Sequence, residues 1–369
     1  MSDEYIKTSS KQQPYLSIVA TSRNDNHGVD LLKRMQIFIN GLVEQCDRHK
    51  LHAELILVEW NPPKDRKKLI EVLEYPNGEG YCSIRIIEVP PHMHDRLQHS
   101  DRLPLFQMIA KNAGIRRAKG DFILATNIDI IFSDQLMSFL ASRQLEEGKF
   151  YRCDRYDISS DIPADAPLSK QLEFCEHNII RICSRNDTLT LKTKERQVYS
   201  PAIIIFFKLR RIVGGVLRRL RLSIRWYRNY FLTNYRHAQL HTNACGDFTL
   251  MSRKSWFDLR GYLELEIFSF HLDSLLLYMA YYSKNIKEQA LSPLMRIYHI
   301  DHSHGWTPEV EKDKSLVQRI SSAGIPQISD QELQESVKQM RQDCYPYPVG
   351  KENWGLADEE LPEIAITEK

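Results

Sequence analysis

Two polar side chains, Asn127 and Asp129, follow a short apolar run in the stretch FILATNIDIIF. Residues 122–125 have the length and composition of a buried strand, which would deliver both side chains to its carboxyl end. Open α/β sheets bind their ligands at that end. Amide and carboxylate oxygens suit a hard divalent cation held against a diphosphate. An ordinary Asx turn is the alternative interpretation, and it is the commoner one for this spacing alone.

A second acidic side chain, Asp273, lies directly before the apolar residues 275–282, which are predicted to form a helix. A carboxylate at a helix N-terminus is stabilised by the helix dipole, so a simple N-cap is the alternative role here. Residues 295–306, MRIYHIDHSHGW, then carry His299 and His302. A mixed set of imidazole and carboxylate ligands suits Mn²⁺ better than Mg²⁺. A polar loop that binds nothing is the alternative for this stretch.

The elements predicted around these residues form an α/β sheet. A strand at 15–20, an amphipathic helix at 29–46 and a buried strand at 55–58 make a βαβ unit with a right-handed crossover. Residues 83–89 supply a third strand, and a helix at about 109–118, ended by Gly120, leads into the fourth. We therefore expect the first 135 residues to form a nucleotide-binding half with a mostly parallel sheet.

Further along the chain, residues 135–145 are predicted to be helical and residues 150–158, FYRCDRYDI, to form one strand. The alternating charges of that strand suit acceptor contacts or, as is usual for an edge strand, a solvent-facing surface. Residues 248–251 are predicted to be a short strand, after which Ser252 caps the next helix.

The series KNAGIRRAKGDFILATNID resembles a segment of the GT-A glycosyltransferases, family 2 and its relatives. In that segment a helix containing Asn and Gly precedes a D-x-D metal motif. Asn127 stands at the first Asp of the motif, which leaves Asp129 as the main charged ligand. The resemblance implies a metal-dependent enzyme that uses a nucleotide-diphosphate sugar, with Mn²⁺ or Mg²⁺ as its cofactor.

The same resemblance implies which side chains line the nucleotide-sugar. Thr21, Ser22 and Arg23 follow the first strand, and Glu59 follows the second. Asn112 and Arg116 lie in the helix before the fourth strand. Asn127 and the glycine turn at Gly246 complete the set. Each has a structural alternative, since Glu59 can cap the following turn and Arg116 can lie on a solvated helix face.

The stretch NACGDFTLMSRKSWFDLRGY, followed by Asp273, resembles the acceptor side of inverting, galactosyltransferase-like GT-A enzymes. By that resemblance Asp273 is the general base toward an acceptor hydroxyl, and Asp247 is the second candidate. The acid that usually precedes the base is Leu272 here. A histidine after the catalytic helix completes the metal site in such enzymes, and His299 fits that position best, with His302 second.

Composition limits the remaining classes. The chain has 369 residues, 42% of them hydrophobic, and a formal charge of +2, which gives no overall case for nucleic-acid binding. Seven cysteines without a C-x-x-C pair favour reduced thiols in the cytosol over a zinc site. The N-terminus shows no apolar signal region, and no apolar run approaches the ~20 residues of a membrane helix. We therefore predict a cytoplasmic location.

Residues 192–236 form a basic segment, in which lysines and arginines alternate with apolar and aromatic residues. Such a segment can lie in the interface of an anionic membrane, where each basic residue contributes about 1 kcal/mol. Peripheral membrane contact is the favoured interpretation. A lid or oligomer helix with solvated charges is the main alternative, and nucleic acid is disfavoured.

The sequence therefore predicts a GT-A-type α/β enzyme in five parts. They are a disordered N-terminus (1–13), a nucleotide-sugar-binding half (14–158), a basic insertion (159–240), an acceptor half (241–306) and a helical tail (307–369). The predicted reaction is inverting transfer of a sugar to a glycan or lipid-linked acceptor, with a UDP-sugar as the favoured donor. A retaining transferase, a nucleotidyltransferase and a non-catalytic scaffold are the competing hypotheses. The nucleotidyltransferase is disfavoured because no Gly-rich phosphate loop follows the first strand.

Overall fold

The computed structural model describes residues 13–25, 30–76, 80–185, 187–191, 238–302, 320–346 and 349–366. The basic segment 192–236 and all but one residue of the predicted disordered N-terminus lie outside this described part. The described chain is a mixed α/β structure, which confirms the predicted class.

The elements of the described chain alternate between strands and helices. The strands are β1 (Leu16–Ser22), β2 (Ala53–Trp60), β3 (Cys82–Val89), β4 (Phe122–Thr126), β5 (Ile130–Phe132), β6 (Lys149–Arg152), β7 (Arg155–Ile158), β8 (Ile179–Cys183), β9 (Thr188–Thr190), β10 (Phe248–Ser252), β11 (Lys287–Ala290), β12 (Ile297–Ile300) and β13 (Glu363–Ile366). The helices are α1 (Leu31–His49), α2 (Leu69–Val72), α3 (Pro91–His94), α4 (Gln107–Arg116), α5 (Asp134–Ala141), α6 (Leu168–His177), α7 (Arg253–Leu259), α8 (Leu272–Tyr282) and α9 (Asp330–Asp343).

The larger sheet has the strand order β11-β6-β10-β4-β1-β2-β3-β13. Strands β3, β2, β1 and β4 are parallel, as predicted. Two later segments enter from the opposite end: β10 runs antiparallel to both β4 and β6, and β13 runs antiparallel to β3. The sheet is therefore mixed, and the expectation of a mostly parallel sheet is not confirmed.

A smaller sheet, β5-β12-β7-β8-β9, lies beside the carboxyl end of β4. The prediction of a single strand at 150–158 is wrong, because Cys153 and Asp154 interrupt it. The two parts, β6 and β7, lie in the larger and the smaller sheet, respectively. The predicted basic insertion begins at 159, yet residues up to 190 supply α6, β8 and β9 to this structure. The smaller sheet carries side chains of β7, β8 and β12 toward the candidate metal site described below.

Helices cover both faces of the larger sheet because side chains of a strand alternate between its faces. On β1, Ile18 packs with the α1 side and Val19 with the α4 side. Helix α4 lies close to the sheet at Gly114, where a Cβ would come within 2.6 Å of Val19 Cγ1 and 2.9 Å of Val58 Cγ2. This close approach fixes the depth at which α4 presents its polar side chains.

The C-terminal region packs on the core through α9, the buried Trp354 and strand β13. Arg117 ties it to α4 by donating to the carbonyls of Gly355, Leu356 and Glu359. The predicted helical tail therefore ends in a strand. None of the described helices is both long and apolar enough to cross a membrane.

Candidate metal and nucleotide site

Asp129, His299 and His302 come together where the two sheets meet. Asp129 lies in the turn between β4 and β5, and β12 brings His299 beside it by pairing antiparallel with β5. The Oδ2 atom of Asp129 is 2.9 Å from His302 Nε2 and 3.7 Å from His299 Nε2. One possible ligand atom from each residue lies within 4.8 Å of the others, a set that could hold a metal ion.

The environment of Asp129 fits a cation. Its Oδ1 atom is buried and has no hydrogen-bond partner among the described residues, while Oδ2 accepts from Arg34 Nη1 at 2.7 Å. Burial by itself would raise the pKa of Asp129, but His299, His302 and Arg34 hold it well below its usual value. An ionised carboxylate with a free buried oxygen, flanked by two imidazole nitrogens, suits a divalent ion of the Mn²⁺ type.

Asp157 orients His299 from behind. Its Oδ1 atom is 3.1 Å from His299 Nδ1, which leaves Nε2 directed toward Asp129. Carboxylates often fix a metal-binding imidazole in this way. Asp157 is fully buried and is itself held by Arg155 Nε at 2.8 Å and by Arg181. Burial would lower the pKa of His299, but Asp129 and Asp157 raise it.

Asn127 is held by α4. Its Oδ1 atom accepts from Lys111 Nζ at 2.8 Å and from Gln107 Nε2 at 3.0 Å, and its amide donates to Asp247. Lys111 is completely buried and also donates to the Gly246 carbonyl at 2.7 Å. Burial lowers the pKa of Lys111 to about 8, although Asp247, Asp273 and Asp129 oppose the shift. A cation is therefore bonded to Asn127, the residue at the position of the first Asp of the D-x-D motif.

Asp247 and Asp273 lie beside Asn127 and Gly246, respectively. Asp247 ends a short 3-10 turn and accepts from Asn127 on Oδ1 and from Arg155 on Oδ2 at 2.5 Å. Asp273 lies in the first turn of α8, whose N-cap is His271, so the N-cap alternative does not describe it. Its Oδ1 accepts from Ser274 N at 2.7 Å, and a Cβ on Gly246 would lie 3.0 Å from its Oδ2. Glycine at 246 thus leaves room beside that carboxylate oxygen.

The predicted nucleotide edge lies at the ends of β1 and β2. Ser22 and Glu59 are register partners there, and both are buried. Thr21 Oγ1 donates to the Val58 carbonyl at 3.0 Å, and Arg23 Nη1 donates to the Pro104 carbonyl at 3.1 Å. The structure therefore brings the four predicted side chains to the same edge as Asn127, with the hydroxyl of Thr21 bonded to the backbone.

Glu59 has a structural partner at this edge. Its Oε1 accepts from the Leu69 amide at 2.9 Å, at the start of α2, which matches the capping alternative. Burial raises the pKa of Glu59 to about 7, although the bond from Leu69 opposes the shift. This carboxyl is therefore partly protonated at neutral pH.

Asn112 and Arg116 make their described contacts elsewhere, so the role predicted for them at the nucleotide stays a prediction. The Asn112 amide nitrogen donates to the Tyr262 carbonyl and to Glu264, and its oxygen accepts from Tyr262 N. The Arg116 guanidinium lies over the rings of Phe257 and Trp354, at 5.2 and 5.0 Å. Both side chains join α4 to the C-terminal part of the chain.

The helical period explains why these two side chains lie apart from Lys111. Residues four apart share a helix face, so Gln107 and Lys111 project together toward Asn127, whereas Asn112 and Arg116 project together from a neighbouring face. Lys111 lies one helical turn from Met108 and from Ile115, and a lysine on such an apolar helix face was the available signal. Arg34, Arg155 and Asp157 contact the site through residues of distant elements, so the local sequence carried no comparable signal for these pairs.

No protein-family model matches the chain, and no curated protein matches its sequence. The functional assignment therefore depends on the geometry of the site and on the motifs that resemble GT-A enzymes.

Proposed function

We propose that the protein is a metal-dependent glycosyltransferase of the GT-A fold. It would transfer a sugar from a nucleotide-diphosphate sugar, with UDP favoured over GDP, to an acceptor hydroxyl with inversion. One observation carries the proposal: the carboxylate of Asp129, with a buried oxygen that lacks a donor among the described residues, faces two imidazole nitrogens beside the strand ends. Sheets of this class bind nucleotides at that edge.

Asp129, His299 and His302 would hold Mn²⁺ or Mg²⁺, which when bound offsets charge on the diphosphate leaving group. The Lys111 ammonium, fixed between Asn127 and the Gly246 carbonyl, adds a second positive charge beside that position. A fixed charge in a buried site stabilises developing negative charge more strongly than the same charge in water.

Asp273 is favoured over Asp247 as the base. Both oxygens of Asp247 are occupied by Asn127 and Arg155, so that its role is to position Asn127. Asp273 is half-buried and places Oδ2 against Gly246, where an acceptor hydroxyl can approach. A positioned carboxylate that accepts the hydroxyl proton contributes about 10²- to 10⁴-fold to the rate.

The substitution Asp273→Asn tests this role. The variant should bind the nucleotide-sugar as the natural chain does and lose transfer. Loss of both binding and transfer would remove the assignment. A product that retains the anomeric configuration would also contradict an inverting base at this position.

The acceptor would be a glycan or a lipid-linked molecule, and the basic segment 192–236 would bring the enzyme to an anionic membrane surface. Flotation with vesicles of phosphatidylcholine and phosphatidylserine tests the membrane contact. Binding should fall as salt is raised, since exposed charges are screened. Absence of binding at low salt would refute this part of the proposal.

A thermal-shift panel of UDP-, GDP-, CDP- and ADP-sugars, each with and without Mn²⁺, tests the donor class. A ligand at about 100 times its Kd stabilises the fold by about 2.7 kcal/mol, a shift of a few degrees. Stabilisation that needs Mn²⁺ and disappears in Asp129→Asn supports the proposal. No response to any nucleotide would favour a non-catalytic scaffold.

A further inference from the structure

Arg34 forms an ion pair with the central carboxylate of the metal site. It lies in the first turn of α1, which follows the loop after β1, and its Nη1 atom is 2.7 Å from Asp129 Oδ2. The two side chains are only 4% and 5% exposed. The charge of Asp129 is therefore already balanced by a guanidinium, and a metal ion has to share this carboxylate with Arg34.

The charged side chains around this pair also balance one another. Four carboxylates and four cations form the charge cluster: Asp129, Asp157, Asp247, Asp273, Arg34, Lys111, Arg155 and Arg181. With neutral imidazoles, which metal ligation requires, the charge cluster has no net charge. A divalent ion alone would add two positive charges to a largely buried region, whereas an accompanying diphosphate would offset them.

We propose that Arg34 makes the divalent ion and the nucleotide diphosphate bind as a pair. When both are present, the guanidinium exchanges Asp129 for a diphosphate oxygen, a partner that arginine binds well, and the carboxylate turns to the metal. When the metal is present without the diphosphate, Arg34 remains ion-paired with Asp129 and the metal binds weakly. This inference rests on the proposed function, because it requires a metal and a diphosphate at the same site.

Titration calorimetry of the full chain with Mn²⁺, in the absence and presence of saturating UDP, measures the coupling. In the natural chain UDP should tighten Mn²⁺ binding by about tenfold or more, within the usual range of coupling between sites. Linkage requires that Mn²⁺ tighten UDP binding by the same factor. Equal Mn²⁺ affinity with and without UDP would overturn the proposal without any variant.

Three substitutions separate this role from a structural one. Arg34→Met should bind Mn²⁺ alone more tightly than the natural chain, and its coupling factor should fall about fivefold or more. Arg34→Lys keeps the charge and should keep most of the coupling. Arg48→Met is the matched control, because Arg48 lies on the same helix α1 but pairs with Glu44 and Asp134, outside the charge cluster; its coupling should match that of the natural chain.

The outcomes distinguish the two proposals. Weaker Mn²⁺ binding in Arg34→Met, or unchanged coupling, would leave Arg34 as a purely structural partner of Asp129 and overturn its pairing role alone. Binding of Mn²⁺ with no response to UDP in the natural chain would remove the proposed donor and the pairing role together. If Arg34→Met does not fold, Arg34→Gln, which removes the charge and keeps hydrogen-bond donors toward Asp129, takes its place in the same comparison.

Discussion

Glu59 and Asp129 are two buried acids near the carboxyl ends of two parallel strands that flank β1, and their environments shift their pKa values in opposite directions. Glu59 is 1% exposed, and burial raises its pKa to about 7. Asp129 is 4% exposed, yet two imidazoles and Arg34 hold its pKa well below the ordinary value. Burial is similar in both places, so the neighbouring cations decide the protonation state.

The difference separates two kinds of polar side chain at one edge of the sheet. Glu59 accepts a hydrogen bond from a backbone amide at the start of α2 and lies beside a partner strand. This environment suits a hydrogen-bonding contact or a helix cap. Asp129 keeps its negative charge in a buried place and leaves Oδ1 without a donor among the described residues. Only the second arrangement is suited to bind a cation.

The contrast is tested most strongly by Asp129→Asn. This change leaves the buried Arg34 guanidinium without its anionic partner, so we expect the free energy of unfolding to fall by about 3–5 kcal/mol. Stabilisation by Mn²⁺ should disappear as well. Urea denaturation with and without Mn²⁺ measures both effects. Asp258→Asn, at an exposed position of α7, is the control and should unfold like the natural chain.

The opposite result is expected for Glu59→Gln. Because the folded chain binds this proton more tightly than the unfolded chain, the contribution of Glu59 is fully present below about pH 4.5 and is lost as pH rises through about 7. Glutamine does not titrate. The free energy of unfolding of the variant should therefore rise relative to that of the natural chain between pH 5 and 8, by about 3 kcal/mol at most. Denaturation midpoints across that range measure the gain. A constant difference, like that expected for the exposed Glu335→Gln, would contradict the raised pKa.

Lys111→Met sharpens the role of the cations. The change removes a charge that bonds to Asn127 and to the Gly246 carbonyl and keeps a side chain of similar length. We expect UDP affinity in the presence of Mn²⁺ to fall by about 10- to 100-fold, the equivalent of a charged hydrogen bond of about 1.5–3 kcal/mol. Calorimetry measures the affinity. Unchanged affinity would show that the ammonium serves the fold alone.

The smallest effect is expected for Arg116→Ala, which lies outside the charge cluster. Loss of its contacts with Phe257 and Trp354 should destabilise the fold by about 0.5–2 kcal/mol. Binding of Mn²⁺ and UDP should not change, and calorimetry on the folded variant checks this. A loss of UDP affinity would return Arg116 to the nucleotide site.

The sequence predicted the first part of the fold well because hydrophobic periodicity is a local property. Strands β1 to β4 and helices α1 and α4 are where the pattern placed them, with ends shifted by a few residues, and Ser252 caps α7 through a bond from Ser255 N. The reversed strands β10 and β13, and the break at Cys153 and Asp154, depend on which distant segments pair. No local pattern contains that information.

The sequence predicted those residues of the candidate site that belong both to a recognisable motif and to the end of a predicted strand or the start of a predicted helix. Asn127, Asp129, Gly246, Asp247 and Asp273 do converge, and His299 and His302 join Asp129. The prediction did not find the cations that balance these acids. It also selected Asn112 and Arg116 of α4 from the motif, and it did not select the buried Lys111 that bonds to Asn127.

Strand β13 has a consequence for the order in which the protein forms during synthesis. It pairs with β3, and the ion pair between Arg85 and Glu363 spans 278 residues of sequence. At a synthesis rate of about 5–20 residues per second, the ribosome needs roughly 15–55 s to make the intervening chain. Throughout that interval the outer edge of β3 on the nascent chain lacks its final partner, and unpaired edges recruit other strands. Chaperone engagement during translation should therefore be strongest before residues 363–366 emerge.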